Sequence, residues 1–173
     1  IHEITEMVNG KMGQYAHGNQ PIQHAIYLYD YAGEPWKAQY HLRDVMNKFY
    51  SPEPDGLCGD EDNGQTSAWY VFSAMGMYSV CPGQPEYALG SPLFDRVTLN
   101  LENGKRFVIQ ANNNLPEHVY IDKAMLNGKL YTRNFLKHED IRNGGTLIFD
   151  MSKTPNMKRG TGKQDRPYSM SRK

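Results

Sequence analysis

The sequence contains few cysteines, no excess of charge of either sign and no long apolar run. Its two cysteines, Cys58 and Cys81, could pair or stay free, but two are too few for a disulfide framework or a cysteine-based zinc site. Nineteen Lys and Arg residues balance nineteen Asp and Glu residues, so we expect no nucleic-acid-binding surface. No run approaches the roughly 20 apolar residues that cross a bilayer, so we expect no transmembrane segment, and no secretion signal is recognised.

The composition that remains is that of a globular protein, with 39% apolar and 22% charged residues among 173. Apolar residues recur at helical spacing in the first half, and Pro21 and Pro35 each fit the first turn of a helix. The helix that begins at Pro35 is predicted to carry Tyr40 on its apolar face. A fourth helix, over residues 66–77, is apolar nearly all round, which is typical of a helix buried on several sides.

The second half reads as short alternating runs that are separated by turn residues. Asn-Gly pairs at 103–104 and 127–128 predict tight β-hairpins, and a Gly-Gly pair precedes another predicted strand. We therefore predict an α+β chain with three parts: helices in residues 1–80, antiparallel strands in residues 81–155, and a tail or final strand in residues 156–173. The basic residues of the last part are expected to be solvated.

These elements do not make a closed fold. The most apolar helix has no partners in the chain that would cover it, and five or six strands form barely one sheet with an edge. We therefore expect the chain to be part of a larger protein.

An acidic loop lies directly before the most apolar helix. Five carboxylates fall between Glu53 and Asp62, and Asp60 and Asp62 are two positions apart, so their side chains point the same way in an extended loop. Such a pair suits a general base that activates water, or a hard cation bound through oxygen. The alternative is a polar loop at a helix N terminus, where the helix dipole favours acids. An EF-hand is excluded, because the twelfth position from Asp60 is Val71 rather than Glu.

A second candidate segment, from Gly18 to His24, carries neutral polar side chains before a predicted helix. Asn19 and Gln20 offer amide oxygens that suit sugar hydroxyls or a calcium ion. The alternative is a helix cap formed by Asn19, with His24 in a satisfied packing position. The histidines show no metal-type spacing, and the sequence contains no recognisable nucleophilic triad or phosphate-binding loop.

Taken together, five segments resemble the C-terminal part of glycoside hydrolase family 92, the calcium-dependent exo-acting α-mannosidases. They occur in the expected order and spacing, and they are GNQP at 18–21, YLYDYAG at 27–33, GDEDNGQ at 59–65, SAWYVFSAMG at 67–76 and GSPLFD at 90–95. The resemblance implies a multidomain fragment that holds the last helices of an (α/α)6 barrel followed by antiparallel β-strands of a sandwich. It also implies a periplasmic, cell-surface or secreted protein that acts on mannose-containing glycans together with an earlier part of the same polypeptide.

The activity that the resemblance implies is hydrolysis of α-mannosidic bonds, often α-1,2, with inversion of configuration. Inversion needs an acid that protonates the leaving oxygen and a base on the opposite side, about 6.5–9.5 Å away, with water between them. By match to the family's acidic string, Asp62 is the predicted base and Asp60 its partner. The family's general acid is a Glu upstream of these motifs, and neither Glu3 nor Glu6 has the expected context. The chain alone is therefore expected to be inactive.

The same match gives Asn19 and Gln20 as ligands of a calcium ion (Ca2+) that holds the mannose 2- and 3-hydroxyls. Many relatives carry Glu where this chain has Gln20, and a neutral oxygen there weakens the charge of the cation site. His24, Glu61 and Trp69 are predicted to bind the sugar, although Glu61 is expected to turn away from the two aspartates and Trp69 also fits core packing. Two other interpretations stay open: a non-catalytic carbohydrate-binding or structural module, and a different glycosidase with the same barrel.

Overall fold

The structure, a computed structural model, describes residues 2–171. Its α-helices are α1 (His2–Gly10), α2 (Leu28–Ala32), α3 (Pro35–Phe49), α4 (Gln65–Ala74) and α5 (His138–Arg142). Short 3-10 turns cover Gln20–Ile22, Ala25–Tyr27 and Lys163–Asp165. The strands are β1 (Met77–Tyr78), β2 (Glu86–Leu89), β3 (Arg96–Asn100), β4 (Arg106–Asn112), β5 (Tyr120–Leu126), β6 (Lys129–Leu130), β7 (Phe135–Lys137) and β8 (Gly145–Ser152). None of the described helices has the length and apolar character that a membrane span requires.

The helical region departs from the sequence pattern in α2 and α3. Pro21 does start a helical segment, but the chain makes two 3-10 turns before α2 begins, and Gly33 ends α2 with a φ of +83°. In α3, Tyr40 is 49% exposed and lies outside the apolar face. The reason is that Tyr40 is two residues from the buried Ala38 and Leu42, so it projects about 200° around the helix from each of them.

Helix α4 buries one face rather than several. Thr66, Trp69, Ser73 and Ala74 are buried, whereas Val71 is 53% exposed. The described segments thus cover α4 mainly on its Trp69 side, as expected for an apolar helix whose further partners are not in this chain.

Two sheets follow the helices, with strand orders β1-β2-β7 and β3-β4-β8-β5-β6. The hairpins predicted at the two Asn-Gly pairs are confirmed as β3–β4 and β5–β6. Strands β4 and β8 pair in parallel, with Phe107 opposite Gly145 and Asn112 opposite Asp150, so the prediction of an entirely antiparallel region is wrong. Strand β8 runs antiparallel to β5 and lies between the two hairpins, a long-range arrangement that no local pattern encodes.

Buried polar side chains join α3 to the sheets. The side-chain oxygen of Gln39 accepts a hydrogen bond from the backbone N–H of Ile121 in β5 at 3.0 Å. Arg43 is 5% exposed and donates to Ser91 Oγ at 3.1 Å and to the side-chain oxygen of Asn114. These buried hydrogen bonds fix the position of the helix core relative to the sheet core. Separating the partners would leave buried polar groups without hydrogen bonds, which would destabilise the folded state.

The segment after β8 is packed rather than solvated. Arg159 is buried and donates to the side-chain oxygen of Asn134 and to the carbonyl oxygen of Arg133, both at 3.1 Å. Asp165 is also buried and accepts a hydrogen bond from Thr132 Oγ1 at 2.6 Å. The expectation of a solvated basic end is therefore wrong for Arg159, and residues 156–171 contain no strand.

The two cysteines do not pair. Cys58 is buried in the acidic loop, Cys81 is exposed, and both are free thiols. Burial, together with the nearby Glu6 carboxylate, raises the pKa of Cys58 to about 12, so its thiol stays protonated at neutral pH.

Candidate functional site

Two glycines bring the two candidate segments into contact. Gly18 precedes Asn19 and Gly59 precedes Asp60, and the two glycine backbones touch. A Cβ added to Gly59 would overlap the carbonyl group and Cα of Gly18, and a Cβ added to Gly18 would lie 2.9 Å from Gly59 Cα. Gly59 also has a φ of +61°, which favours glycine. The two segments are therefore neighbours because neither position carries a side chain.

The side chain of Gln20 joins these segments by hydrogen bonds. Its Nε2 donates to the carbonyl oxygen of Asp60 and, at 3.1 Å, to Thr66 Oγ1. The buried Thr66 hydroxyl in turn donates to the same Asp60 carbonyl at 2.8 Å. Both amide donors of Gln20 have partners, which leaves its amide oxygen outside this set of bonds. The backbone of the acidic loop is thus fixed directly against the Asn19–Gln20 segment.

Glu61 caps the N terminus of α4. Its carboxylate accepts hydrogen bonds from the backbone N–H groups of Gly64 and, at 3.0 Å, of Ser67. Hydrogen bonds from Ser67 and Gly64 hold the pKa of Glu61 below its ordinary value. Helix capping therefore accounts for the carboxylate of Glu61, and its assignment to sugar binding stays a prediction.

Asp60 and Asp62 flank this cap and are both exposed. Among the residues whose side chains the structure describes, 4–171, no hydrogen bond or ion pair engages either carboxylate. Asp62, Asn63 and Gly64 have φ values of +48°, +58° and +95°, so three successive residues are left-handed. The left-handed conformation is uncommon for residues other than glycine. Asp62 therefore lies in an unusual turn, and its carboxylate has no hydrogen-bond partner among the described residues.

Asn19 and His24 each begin a 3-10 turn without capping it. Neither side chain makes a capping hydrogen bond, so the alternative that Asn19 serves as a helix cap is wrong. Asn19 is exposed and His24 is half-buried, on the same stretch that carries Gln20. The sugar-binding role of His24 stays a prediction.

Two buried side chains, those of Gln23 and Trp69, form hydrogen bonds next to the two candidate segments. Gln23 is fully buried, and its Nε2 donates to the carbonyl oxygen of His17 at 3.2 Å and to Thr66 Oγ1 at 3.4 Å. Trp69 is fully buried as well, and its Nε1 donates to the carbonyl oxygen of Gln23 at 3.1 Å. The structure gives Trp69 the core-packing role, because the ring has no exposed surface to offer a sugar.

Glu6 in α1 also contacts the start of the acidic loop. One carboxylate oxygen accepts the backbone N–H of Gly59 at 2.8 Å, and the other is buried without a hydrogen-bond partner. The Glu6 carboxylate therefore holds the start of the acidic loop in place.

Two large cavities lie away from these residues. One of about 690 Å³ is formed by α2, α3 and the segment that follows α1, and includes Tyr29, Tyr40 and His41. Another of about 510 Å³ lies at the end of β4 and includes Asp95 and Arg96. Neither is lined by Asp60 or Asp62, whose carboxylates face solvent instead.

The donor set for a metal ion is incomplete in this part of the protein. Within residues 2–171, no three His, Cys, Asp or Glu side chains lie close enough together to hold a metal ion. The amide oxygens of Asn19 and Gln20 fit calcium in chemical type, because calcium takes oxygen ligands, but calcium needs six to eight of them. These two residues therefore fit a calcium site only as contributors.

Four supporting residues were not predicted as part of the site: Glu6, His17, Gln23 and Thr66. Glu6, Gln23 and Thr66 hydrogen-bond to backbone groups of the two loops, and His17 bonds to two tyrosine hydroxyls. Such contacts leave no spacing signal in the sequence. The close approach of Gly18 and Gly59 had a signal, since a glycine in each motif is typical of a place where two backbones meet.

Comparison with known proteins identifies the family. Residues 2–153 match the family model of the glycosyl hydrolase family 92 catalytic domain. A protein of Arthroderma benhamiae described as an uncharacterized secreted glycosidase is 35% identical over 156 residues, which cover 88% of this chain and 20% of that protein.

Solved structures agree. An inverting family GH92 mannosidase of Bacteroides thetaiotaomicron is 64% identical, with a TM-score of 0.88 over 97% of this chain and 23% of its own. A family GH92 α-mannosidase of the same organism, in complex with mannoimidazole, is 42% identical, with a TM-score of 0.90 over 94% of this chain and 21% of its own. The chain thus spans about a fifth of the length of these relatives. It is a C-terminal portion of the family fold, and the chain belongs to glycosyl hydrolase family 92.

Proposed function

We propose that this chain forms part of an inverting exo-α-mannosidase, in which Asp62 acts as the general base with Asp60 as its partner. The observation that carries the proposal is the junction between the two loops. Gln20 donates to the backbone carbonyl of Asp60, so the segment that carries the predicted calcium ligands lies against the loop that carries Asp60 and Asp62. The carboxylates of these two residues have no protein partner among the described residues.

The chemistry assigned to the pair follows from this exposure. A carboxylate that is free of hydrogen bonds can accept a proton from water, whereas the engaged carboxylate of Glu61 would first have to leave its helix. Asp62 is assigned as the base by its match to the family's acidic string, and it lies in a left-handed turn with an exposed carboxylate. Asp60 follows the glycine contact directly, so its position is set by Gly59 and Gln20.

We further propose that Asn19 and Gln20 contribute oxygen ligands to a calcium ion, with the remaining ligands supplied by other parts of the polypeptide or by water. When bound, calcium would fix sugar hydroxyls through its open coordination positions. Gln20 can serve only through its amide oxygen, since both amide donors are used within the protein.

The substrate class that fits is a mannose-containing glycan with an α-1,2 linkage, in a secreted, cell-surface or periplasmic setting. The support is the description of relatives as mannosidases and as a secreted glycosidase. The rest of the polypeptide would supply the general acid and complete an (α/α)6 barrel over exposed surfaces such as Val71. The 173-residue chain alone should accordingly release no mannose.

The test uses the full-length protein and an α-1,2-mannobiose substrate. Asp62→Asn should lower kcat by about 100- to 10,000-fold, the usual contribution of a general base, and should leave binding of mannoimidazole within about twofold. Asp55→Asn is the matched control, because Asp55 is an exposed acid of the same loop. Turnover by Asp62→Asn at the wild-type rate would overturn the base assignment.

The same measurements address the open alternatives. A wild-type protein that binds mannose-containing glycans without turnover would support the non-catalytic module. Release of another sugar from a panel of aryl glycosides, with no release of mannose, would support a different glycosidase on the same framework.

A further inference from the structure

His17 is a buried titratable residue that the proposed mechanism does not use. It is 2% exposed, and both of its ring nitrogens are hydrogen-bonded at 2.7 Å, Nδ1 to the hydroxyl of Tyr15 and Nε2 to the hydroxyl of Tyr50. The ring packs edge-on against Trp69, with centroids 4.2 Å apart, and parallel to Phe49 at 6.3 Å. Every edge and face of the imidazole therefore has a neighbour.

The contacts of His17 close a ring around the meeting point of the two loops. Along the chain, His17 is followed by Gly18, which touches Gly59. Through its imidazole, His17 reaches Tyr50, whose backbone pairs with Leu57 in an antiparallel bridge two residues before Gly59. The two loops are thus connected twice, once by the glycine contact and once through the imidazole.

We propose that His17 is a positioning residue, which holds the loop of Asp60 and Asp62 in place against the Asn19–Gln20 segment through Tyr50. The catalytic consequence of this role rests on the proposed function, whereas the effect on loop position does not.

The hydrogen-bonding capacity of a neutral imidazole matches these partners. The Tyr15 hydroxyl donates to the carbonyl oxygen of Gln23 at 3.4 Å, so it accepts from His17 Nδ1–H, and Nε2 then accepts from the Tyr50 hydroxyl. A charged ring would have two donors and no acceptor for Tyr50.

The two tyrosines provide a matched pair of variants, to be made in the full-length protein. Tyr50→Phe and Tyr15→Phe each remove one hydroxyl at 2.7 Å from the imidazole and keep the aromatic ring. Tyr50 connects His17 to the acidic loop, whereas Tyr15 lies in the same segment as His17.

Tyr50 also contacts the acidic loop directly, through its bridge to Leu57 and a hydrogen bond to the Cys58 thiol, so His17→Phe is compared as well. A purely structural histidine predicts that His17→Phe leaves amide exchange in residues 57–64 unchanged. A positioning role predicts that His17→Phe loosens the loop as Tyr50→Phe does.

The readouts are amide hydrogen exchange of residues 57–64 and the kinetics of mannose release. We expect Tyr50→Phe to speed exchange in that segment about tenfold and to lower kcat about tenfold, with Tyr15→Phe within about twofold of wild type in both. His17→Gln, which keeps one donor and one acceptor, should recover more of kcat than His17→Phe. Equal exchange in the two tyrosine variants, or unchanged exchange in His17→Phe, would overturn the proposal. Faster exchange in Tyr50→Phe and His17→Phe but not in Tyr15→Phe, in a protein without mannosidase activity, would uphold the positioning role and reject the proposed function.

Discussion

Gly59 and Gly13 share nearly the same backbone conformation, with φ values of +61° and +64°, but only Gly59 has a neighbour where a side chain would stand. At Gly13 nothing lies within 4 Å of an added Cβ, whereas at Gly59 the Gly18 backbone occupies that space. The pair therefore separates the effect of conformation from the effect of contact.

The first prediction concerns this pair. Gly13→Ala should lower the free energy of unfolding by about 1–2 kcal/mol, the usual cost of a left-handed non-glycine residue. Gly59→Ala should lower it by clearly more, because the methyl group also forces the two loops apart. Urea unfolding measures both variants, and equal losses would show that the glycine contact does not constrain the loops.

A second prediction separates capping from catalysis within the acidic loop. Glu61→Ala removes the acceptor of the Gly64 and Ser67 N–H groups, so thermal unfolding should begin at a lower temperature than in the wild type. Glu53→Ala is the control, since Glu53 is an exposed acid of the same loop. If the two variants melt alike, the cap makes no contribution to stability.

The depressed pKa of Glu61 also fixes the direction of the pH effect. Its folded-state pKa lies below the unfolded value, so the stabilisation is present above the unfolded pKa and is lost as pH falls through the folded one. The melting difference between Glu61→Ala and wild type should therefore shrink in acid, as measured by calorimetry at several pH values.

A third prediction concerns His17 and acid. Burial lowers the pKa of His17 to about 3, so the folded state keeps the ring neutral down to about pH 3, whereas the unfolded state takes up a proton near the ordinary pKa of 6.5. Stability should therefore fall as pH is lowered from 6.5 towards 3, by up to about 1.4 kcal/mol per pH unit from this residue. His17→Gln and His17→Phe both remove the titrating group, so both should flatten this slope even if their stabilities at pH 7 differ. A slope unchanged in both variants would contradict the assignment.

A fourth prediction compares two buried aspartates. Neither carboxylate oxygen of Asp30 has a hydrogen-bond partner, and burial raises its pKa well above the usual value in spite of the nearby Arg159. The folded state holds a proton that the unfolded state releases, so stability falls as pH rises above the unfolded pKa. Asp30→Asn should therefore stabilise the protein at pH 7 in urea unfolding. Asp165→Asn should not, because Asp165 already accepts a hydrogen bond from Thr132.

Local patterns predicted the local structure well. The Asn-Gly pairs at 103–104 and 127–128 predicted hairpins because the turn requires left-handed residues, and Asn127 does have a φ of +50°. The parallel pairing of β4 with β8 was not predictable in this way, because it depends on which strand fills a gap between two hairpins. The burial of Arg159 is similar, since it depends on a return of the chain to Asn134.

The same contrast between local patterns and long-range contacts applies to the candidate site. The acidic loop and the Asn19–Gln20 segment were identified from their residues, and the bond from Gln20 to the Asp60 carbonyl confirms that they meet. The capping role of Glu61 agrees with the alternative given for the acidic loop, that it lies at a helix N terminus where the helix dipole favours acids. The dependence on His17 could not, because its partners are 2 and 33 positions away in the chain.

The order of strands in the larger sheet has a consequence for biosynthesis. Strand β8 follows the other four strands of this sheet in the chain, yet it takes the central place between β4 and β5. Until it emerges, the two hairpins each present an unpaired edge, and such edges recruit strands from other nascent chains. Premature termination before residue 145 should therefore yield insoluble product. Loss of residues after 166 should leave β8 paired between the two hairpins.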